Sequence, residues 1–525
     1  MSKFICPFLL ACLAVGVVRF GTGGGEPETP STVVTTDMDV CDKTDGLVSL
    51  REAVAYAGEG ETVTFAESIP GGAVIKLRQG SLKIDKGIAI DASSAGAKIT
   101  IDGCGRDRVF TVAVSPEGDG AELIGMAVTG GKETRGGGIL VDRCTLTLND
   151  VKVFGNTAGE FGGGVCCDGG LLTAAGSEIS KNRAGSGGGI YGAGESVSIV
   201  NTKIFGNAAS FGGGIYARKG GLTIDDSTVA ENDAYDGEIT LRGRVRAAIA
   251  RSMILRNVRG AGIDNGEWCE LTVTDSLISE NKNGGILNRG TLSITGSAIS
   301  GNSSYQNGGA FCNHGVLTIA ASRITENTAT GSGGGGYNTE SLAVDNTVVY
   351  GNSANIGGGL SAVGGALSLV NVTVAGNVAR SGGGINVSGG VEMFNSIVAL
   401  NRAKDDSGDL CGPLADRIAG SNNIVGDDPG FFAAPVFELT KRPNPCQSEF
   451  CPAFVEEWEP KSADPLDLLL GAGSPAIDAG SNDAAKSETD LAGNPRIVNG
   501  TVDIGAFEFR GASGEAEKTQ ETAGE

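Results

Sequence analysis

Phe205-Gly206-Asn207-Ala208-Ala209-Ser210-Phe211-Gly212-Gly213-Gly214-Ile215 decides the fold: an asparagine, a short step, three glycines and an apolar residue. The asparagine recurs as Asn156, Asn182, Asn207, Asn232, Asn257, Asn281, Asn302, Asn327, Asn352, Asn377 and Asn401, which divides 245 residues into ten intervals of 21 to 26. A fixed period in that range is the signature of stacked coils. Between asparagines lie short apolar pieces ended by Gly, Asp, Ser or Asn, such as Ile215-Tyr216-Ala217, Leu222-Thr223-Ile224 and Thr228-Val229-Ala230. Leu222 and Ile224 are two apart, so they share one face of a strand while Thr223 points to the other.

Helices are excluded from the repeat. No interval holds a capped run at helical spacing, and each glycine of a triplet costs a helix roughly 1 kcal/mol. A coil of three short strands cannot bury its own apolar side chains, so each coil must lie on the next, with backbone hydrogen bonds running between coils. The reading is an all-β chain, a right-handed parallel β-helix of about 25 residues per coil. At about 4.8 Å per coil the ten intervals span on the order of 48 Å. A leucine-rich repeat of similar period needs apolar residues eight, five and three before the asparagine. Ser227 before Asn232 and Thr202 before Asn207 break that pattern.

The asparagines form a structural ladder in this reading, because an amide both donates and accepts and bonds to its copies above and below. A column of aspartates would pile like charges on one another. Asn288, Asn313 and Asn338 repeat the logic at a second turn.

The chain has 525 residues, 87 of them glycine, and a formal net charge of −22. That acidity argues against nucleic acid as a partner, since phosphate binding needs clustered Lys and Arg. Residues 1–25 place Lys3 before the apolar run Phe4 to Val18 and read as a signal peptide. No later stretch has the roughly 18 apolar residues of a transmembrane helix. The expectation is a secreted or cell-surface protein, with Leu9-Leu10-Ala11-Cys12 offering a possible lipid anchor at Cys12. Cys446 and Cys451 are close enough in sequence to bridge in an oxidising compartment.

Residues 32–75 read as an N-terminal cap. Ser49 and Glu52 can form a capping box, with Leu50, Ala53, Val54 and Ala57 on one helical face to cover the first coil. The segment Val48-Ser49-Leu50-Arg51-Glu52-Ala53 resembles the CSLREA domain of exported bacterial β-helix proteins, with Val48 in place of the family cysteine. Residues 76–403 carry the repeats, and 404–470 form an irregular Pro-rich insertion. In 471–509, Gly473-Ser474-Pro475-Ala476-Ile477-Asp478-Ala479-Gly480, Thr489-Asp490-Leu491-Ala492-Gly493-Asn494-Pro495-Arg496 and Val502-Asp503-Ile504-Gly505-Ala506-Phe507-Glu508 resemble the choice-of-anchor Q domain. Residues 510–525 read as a polar, disordered tail. The repeats are also similar to those of chlamydial polymorphic outer-membrane proteins, through Gly308-Gly309-Ala310-Phe311 and Phe154-Gly155-Asn156. These resemblances imply an exported β-helix in a bacterial envelope and leave its role open.

Candidate chemistry is sparse. The polygalacturonase signs N-T-D, D-D and G-H-G do not appear on successive coils, so no catalytic residue is assigned. His314, the single histidine, is explained by a turn, with a catalytic base as the competing role. Asp405, Asp406 and Asp409 lie close enough in sequence to hold calcium, against the plainer reading of a solvated turn. Tyr191 and Tyr216 share a phase in consecutive coils and are expected to stack outside the rod, where they could meet a sugar ring. The functional expectation is an adhesin-like binder or envelope scaffold whose partners are glycans or other surface components, without nucleic acid or a cofactor. The alternative is a carbohydrate-active enzyme on the same rod.

Overall fold

The computed structural model describes residues 29–115, 120–412, 418–426, 429, 437–443, 454–460 and 468–510. Cys12, the leader, Cys446 and Cys451 lie outside the described residues. One coil shows how the chain is laid. After Asn327 and the glycines Gly333 to Gly335 come the strands Gly336–Asn338, Ser341–Asp345 and Val348–Tyr350, and then a fourth strand, Ser353–Ile356, beyond Asn352. The first two enter a 27-stranded sheet, the third a 15-stranded sheet and the fourth a 5-stranded sheet. Each pairs in parallel with its copy one coil on, as in Val348↔Thr373, Val349↔Val374 and Tyr350↔Ala375. The ladder runs past both ends of the 76–403 span: Thr62–Phe65 pairs with Ala89–Asp91, and Ile397–Ala399 with Ile424–Val425.

Two corners of most coils pair a left-handed residue with a following inward polar one, with Val151 and Val372 as apolar exceptions at the first corner. Asn346 (φ 46°) precedes Thr347, and Gly351 (φ 67°) precedes Asn352. Elsewhere the first of these places is taken by Asp226 and Arg251, and the second by Glu231 and Glu326, so several non-glycine residues accept αL geometry to keep the bend. The glycine triplets answer a different need. A Cβ on Gly334 would stand 2.5 Å from the carbonyl oxygens of Gly358 and Ser353, so only a bare backbone passes there.

Inward side chains such as Ile215, Leu222, Ile224 and Val229 are buried, and one apolar cluster runs from Val34 to Val398. Stacking like on like makes this core continuous along the rod.

At the N-terminal end the helix α1 (Leu50–Tyr56) carries the full capping box. Glu52 N–H donates to Ser49 Oγ at 3.2 Å, and Ser49 N–H donates to Glu52 Oε2 at 2.9 Å. Leu50, Ala53, Val54 and Ala57 are buried in the core. Asp39 ties this cap to the first coil by accepting from Arg51 Nε at 2.8 Å and from the Arg78 and Gln79 N–H groups at 2.6 and 2.8 Å.

Residues 468–509 lie as a strap against the outer face of the 15-stranded sheet. Leu468, Ala506 and Phe507 pack on Val348, Tyr350 and Ala375, while Leu470, Ala476 and Ile504 pack on Ile397 and Ala399. The polar residues of the three C-terminal motifs hold the strap in shape. Asp490 accepts from the Ala492, Asn494 and Glu508 N–H groups at 2.9, 2.7 and 3.0 Å. Arg496, fully buried, donates to the Gly505 carbonyl and lies 3.4 Å from Glu508. Within 404–470, Phe437–Pro443 pairs antiparallel with Phe454–Pro460.

Candidate functional site

The eleven ladder asparagines are each buried and joined in one line. Asn207 N–H and Nδ2 both donate to Asn232 Oδ1 at 3.0 Å, and Asn207 Nδ2 also donates to the Ile179 carbonyl at 2.8 Å. The line opens at the Gly131 N–H, which donates to Asn156 Oδ1 at 2.9 Å. It closes on Asp409, whose Oδ1 accepts from Asn401 N–H and Nδ2 at 2.9 and 2.8 Å. Asp409 therefore turns inward, while Asp405 accepts from Ser407 at the surface. Among the described residues no three His, Cys, Asp or Glu side chains are grouped to hold a metal ion.

Two further features of the stack escape a search for asparagine alone. Asn265 extends the second ladder by donating to Asn288 Oδ1 at 2.7 Å. A hydroxyl column, including Ser177, Thr202, Ser227 and Ser252, accepts at another corner, for example from the Thr202 N–H to Ser227 Oγ at 3.0 Å. Its signal is a Ser or Thr five residues before nine of the eleven asparagines, with Val151 and Val372 the exceptions.

The middle side chain of each first strand points outward, forming a row along one flank. Cys166, Tyr191, Tyr216, Thr240, Asp264, Leu287, Cys312 and Tyr337 are successive partners in that row. Tyr191 and Tyr216 stack with centroids 5.6 Å apart and planes 6° from parallel, and Phe161 closes on Tyr191 at 4.6 Å. Tyr191 is only 3% exposed, so most of its ring is occupied by these neighbours.

Two coils further on, the row becomes charged. Asp264, with its side chain 1% exposed, accepts from Arg242 Nη2 at 2.7 Å and Arg289 Nη1 at 2.8 Å. Arg242 also reaches Asp236 Oδ2 at 3.3 Å. Burial, with Asp264 nearby, lifts the Asp236 carboxyl above its ordinary range, against hydrogen bonds from Gly237 and Gly212 and the charge of Arg242. Asp236-Gly237-Glu238 stands where the previous coil has Gly212-Gly213-Gly214. Glu238 is fully buried, accepts from the Ala234 N–H at 3.0 Å, and is pushed up to about 8 by burial.

The same coils change the backbone. Where most coils break between first and second strands, Ile215–Asp225 and Gly237–Ala250 run through as strands of 11 and 14 residues. The expected separate pieces 215–217 and 222–224 are thus merged into one strand, while Thr228–Ala230 stays separate. The register shifts between Ala217 and Lys219, and this bulge carries the chain outward. Beside it lies a cleft of 830 Å³ lined by Glu195, Arg244, Arg246, Trp268, Glu270 and Arg289, with neighbouring backbone. Trp268 is 77% exposed in a chain with two tryptophans. Arg246 pairs with Glu270 at 3.2 Å, and Arg289 is the side chain that joins the cleft to Asp264.

None of this was evident from the asparagine period, because the site lies where the period's glycine motif is broken. The available signals were the replacement of Gly-Gly-Gly by Asp-Gly-Glu and the six arginines between Arg242 and Arg259.

His314 lies on the far edge of the row. Its Nε2 is 3.3 Å from Cys312 Sγ and its Nδ1 2.9 Å from Thr339 Oγ1. Burial and the charge of Arg289 hold the imidazole below its ordinary value, against Glu340, and burial pushes the Cys312 thiol up to about 11. At neutral pH the pair is therefore a neutral ring beside a protonated thiol.

The family model described as "Right handed beta helix region" matches residues 137–302, a span that contains the stacked tyrosines and most of the cleft lining, which continues to Gly315 and Val316. The fold is a right-handed parallel β-helix. A solved structure titled a crystal structure of pectate lyase Pel9A is similar over 93% of this chain and 98% of that one, at 14% identity and a TM-score of 0.30. No curated protein sequence matches the chain. Among the described residues no helix is long and apolar enough to cross a membrane.

Proposed function

We propose that this protein is a glycan-binding rod of the bacterial cell surface, acting as an adhesin-like binder or envelope scaffold, with the Trp268 cleft as its contact site. The observation that carries this reading is the exposed Trp268 ring at the mouth of an 830 Å³ cleft lined by arginine and glutamate side chains. An indole face held in water offers a flat apolar platform for a pyranose ring, and the polar lining supplies orientation through hydrogen bonds. The rod places this site on a rigid flank, while the Tyr191 ring is taken up by Phe161 and Tyr216 and leaves Trp268 as the aromatic platform.

Retention of the full-length chain on immobilised polysaccharides, compared with W268A, tests the reading. Retention lost in W268A supports it, and equal retention of the two proteins would refute the assignment of the site.

A second reading is a carbohydrate-active enzyme. Its supporting observation is that Glu195 and Glu270 line one cleft, since glycoside hydrolysis uses two carboxylates flanking the scissile bond. It requires release of new chain ends, abolished in E270Q.

A further inference from the structure

Resting on that glycan-binding reading, we infer that the Trp268 cleft is built for an acidic glycan, a sugar chain carrying carboxylate or sulfate groups, and that Arg244 supplies its primary anion contact. The chain as a whole has a net charge of −22, a field that repels polyanions. The bulge reverses that sign locally. Most arginines of the 242–259 segment are already neutralised: Arg242 by Asp264 at 2.7 Å, Arg246 by Glu270 at 3.2 Å, Arg251 by Asp226 at 3.2 Å and Arg256 by Glu231 at 3.3 Å.

Arg244 is different. Among the described residues it has no ion pair or side-chain hydrogen bond, it is exposed, and it lines the cleft. Its direct partner on the adjacent strand is Lys219, which likewise has no ion pair among the described residues. Like charges set opposite each other on paired strands destabilise a sheet. Elsewhere Lys152 faces Glu178 across coils at 3.0 Å, and the like-charged partners Asp142 and Asp168 are compensated by Arg143 at 3.1 Å and by Arg135, whereas Lys219 and Arg244 have no ion-pair partner among the described residues. An anion seated between them would remove the repulsion.

The rest of the cleft fits the same ligand. A guanidinium presents a planar fork that matches a carboxylate or sulfate, and the anchoring of Arg289 on Asp264 fixes a second cationic side chain in the lining. Trp268 supplies a platform for the ring that carries the charge. Glu195 is the one lining acid without an ion pair among the described residues, and its carboxylate would face sugar hydroxyls as an acceptor.

Titration calorimetry on the full-length chain tests this, using a mannuronic acid hexamer, the same hexamer fully methyl-esterified, and dextran sulfate against unmodified dextran. The expected result is at least tenfold tighter binding of the acid than of its ester, or of dextran sulfate than of dextran. The two arms tell carboxylate from sulfate. The preference should weaken with added salt and disappear in R244Q, which should unfold at the parent's temperature or slightly above it because the change relieves the repulsion with Lys219. Equal binding of charged and neutral forms, or a preference untouched by R244Q, would overturn the inference while leaving glycan binding in place. Failure of all four probes to bind would overturn both.

Discussion

Asn207 gives two hydrogen bonds to a single atom of Asn232: its backbone N–H and its Nδ2 both lie 3.0 Å from Asn232 Oδ1. The next coil thereby satisfies the corner of the previous one, and the chain needs an amide at that place in every turn. A carboxylate could accept from the coil before but could not donate to the coil after or to the Ile179 carbonyl. N207D is expected to lower stability by about 3 kcal/mol or more, because it leaves a buried charge against two acceptors. N207A should cost about 1–3 kcal/mol through its unsatisfied neighbours. Chemical denaturation of the two variants checks the order.

Glu238 makes stability depend on pH. Its folded-state value, raised to about 8 by burial, lies above the ordinary value of 4.5, so the native chain binds the proton more tightly than the unfolded one. The stabilisation is present in full below pH 4.5 and is lost as pH rises toward and through 8. E238Q, which keeps the shape without the charge, should unfold at a higher temperature than the parent at pH 8.5 and at nearly the same temperature at pH 4.5. Glu508, also raised to about 8, leaves a residual slope in that variant. Thermal scans across this range give the answer, and parallel curves would remove Glu238 from the account.

The C-terminal strap depends on Arg496. Replacing it with methionine strips the buried Glu508, Asp490 and Asp503 of their nearby cation. Losing one partner of a buried ion pair typically costs about 3–5 kcal/mol. R496M should therefore release the strap, with Phe507, from Val348, Tyr350 and Ala375, raising hydrogen exchange in Val348–Tyr350 and Thr373–Ala375 while the coils around Asn207 stay protected. The effect should be larger at pH 9 than at pH 6.5, because Glu508, raised to about 8, takes up its proton between the two.

Trp268 tests the site without disturbing the fold. Its side chain is 77% exposed, so W268A should leave the unfolding temperature unchanged. Loss of a stacking platform worth about 1.4 kcal/mol would weaken glycan binding roughly tenfold. Parallel calorimetry and thermal scans separate these effects.

The stack was legible in the residues because it is periodic by necessity. An inward amide, a left-handed corner and an apolar pair must return in each coil, and Asn207, Gly206 and the Leu222–Ile224 pair show all three. The helix α1 was legible from Ser49 and Glu52, whose roles are local. The cleft was not, because it is made by departure from the repeat: Asp236 and Glu238 replace glycines, the strands lengthen through Lys219 and Arg244, and Arg289 comes from the turn of another coil. Summing charge over the chain hid the arginines, since −22 is an average over a surface whose sign changes locally. Tyr191 and Tyr216 were identifiable as a stack from their shared phase, but only the structure shows Phe161 closing on one of them.

The most direct test of the central claim is incubation of the full-length chain with a panel of neutral and acidic polysaccharides, reading both retention on the glycan and release of new chain ends. The account predicts retention, strongest on acidic chains and lost in W268A, with no new ends. Absence of retention on every glycan would contradict the binding site, and release of ends lost in E270Q would make the rod an enzyme.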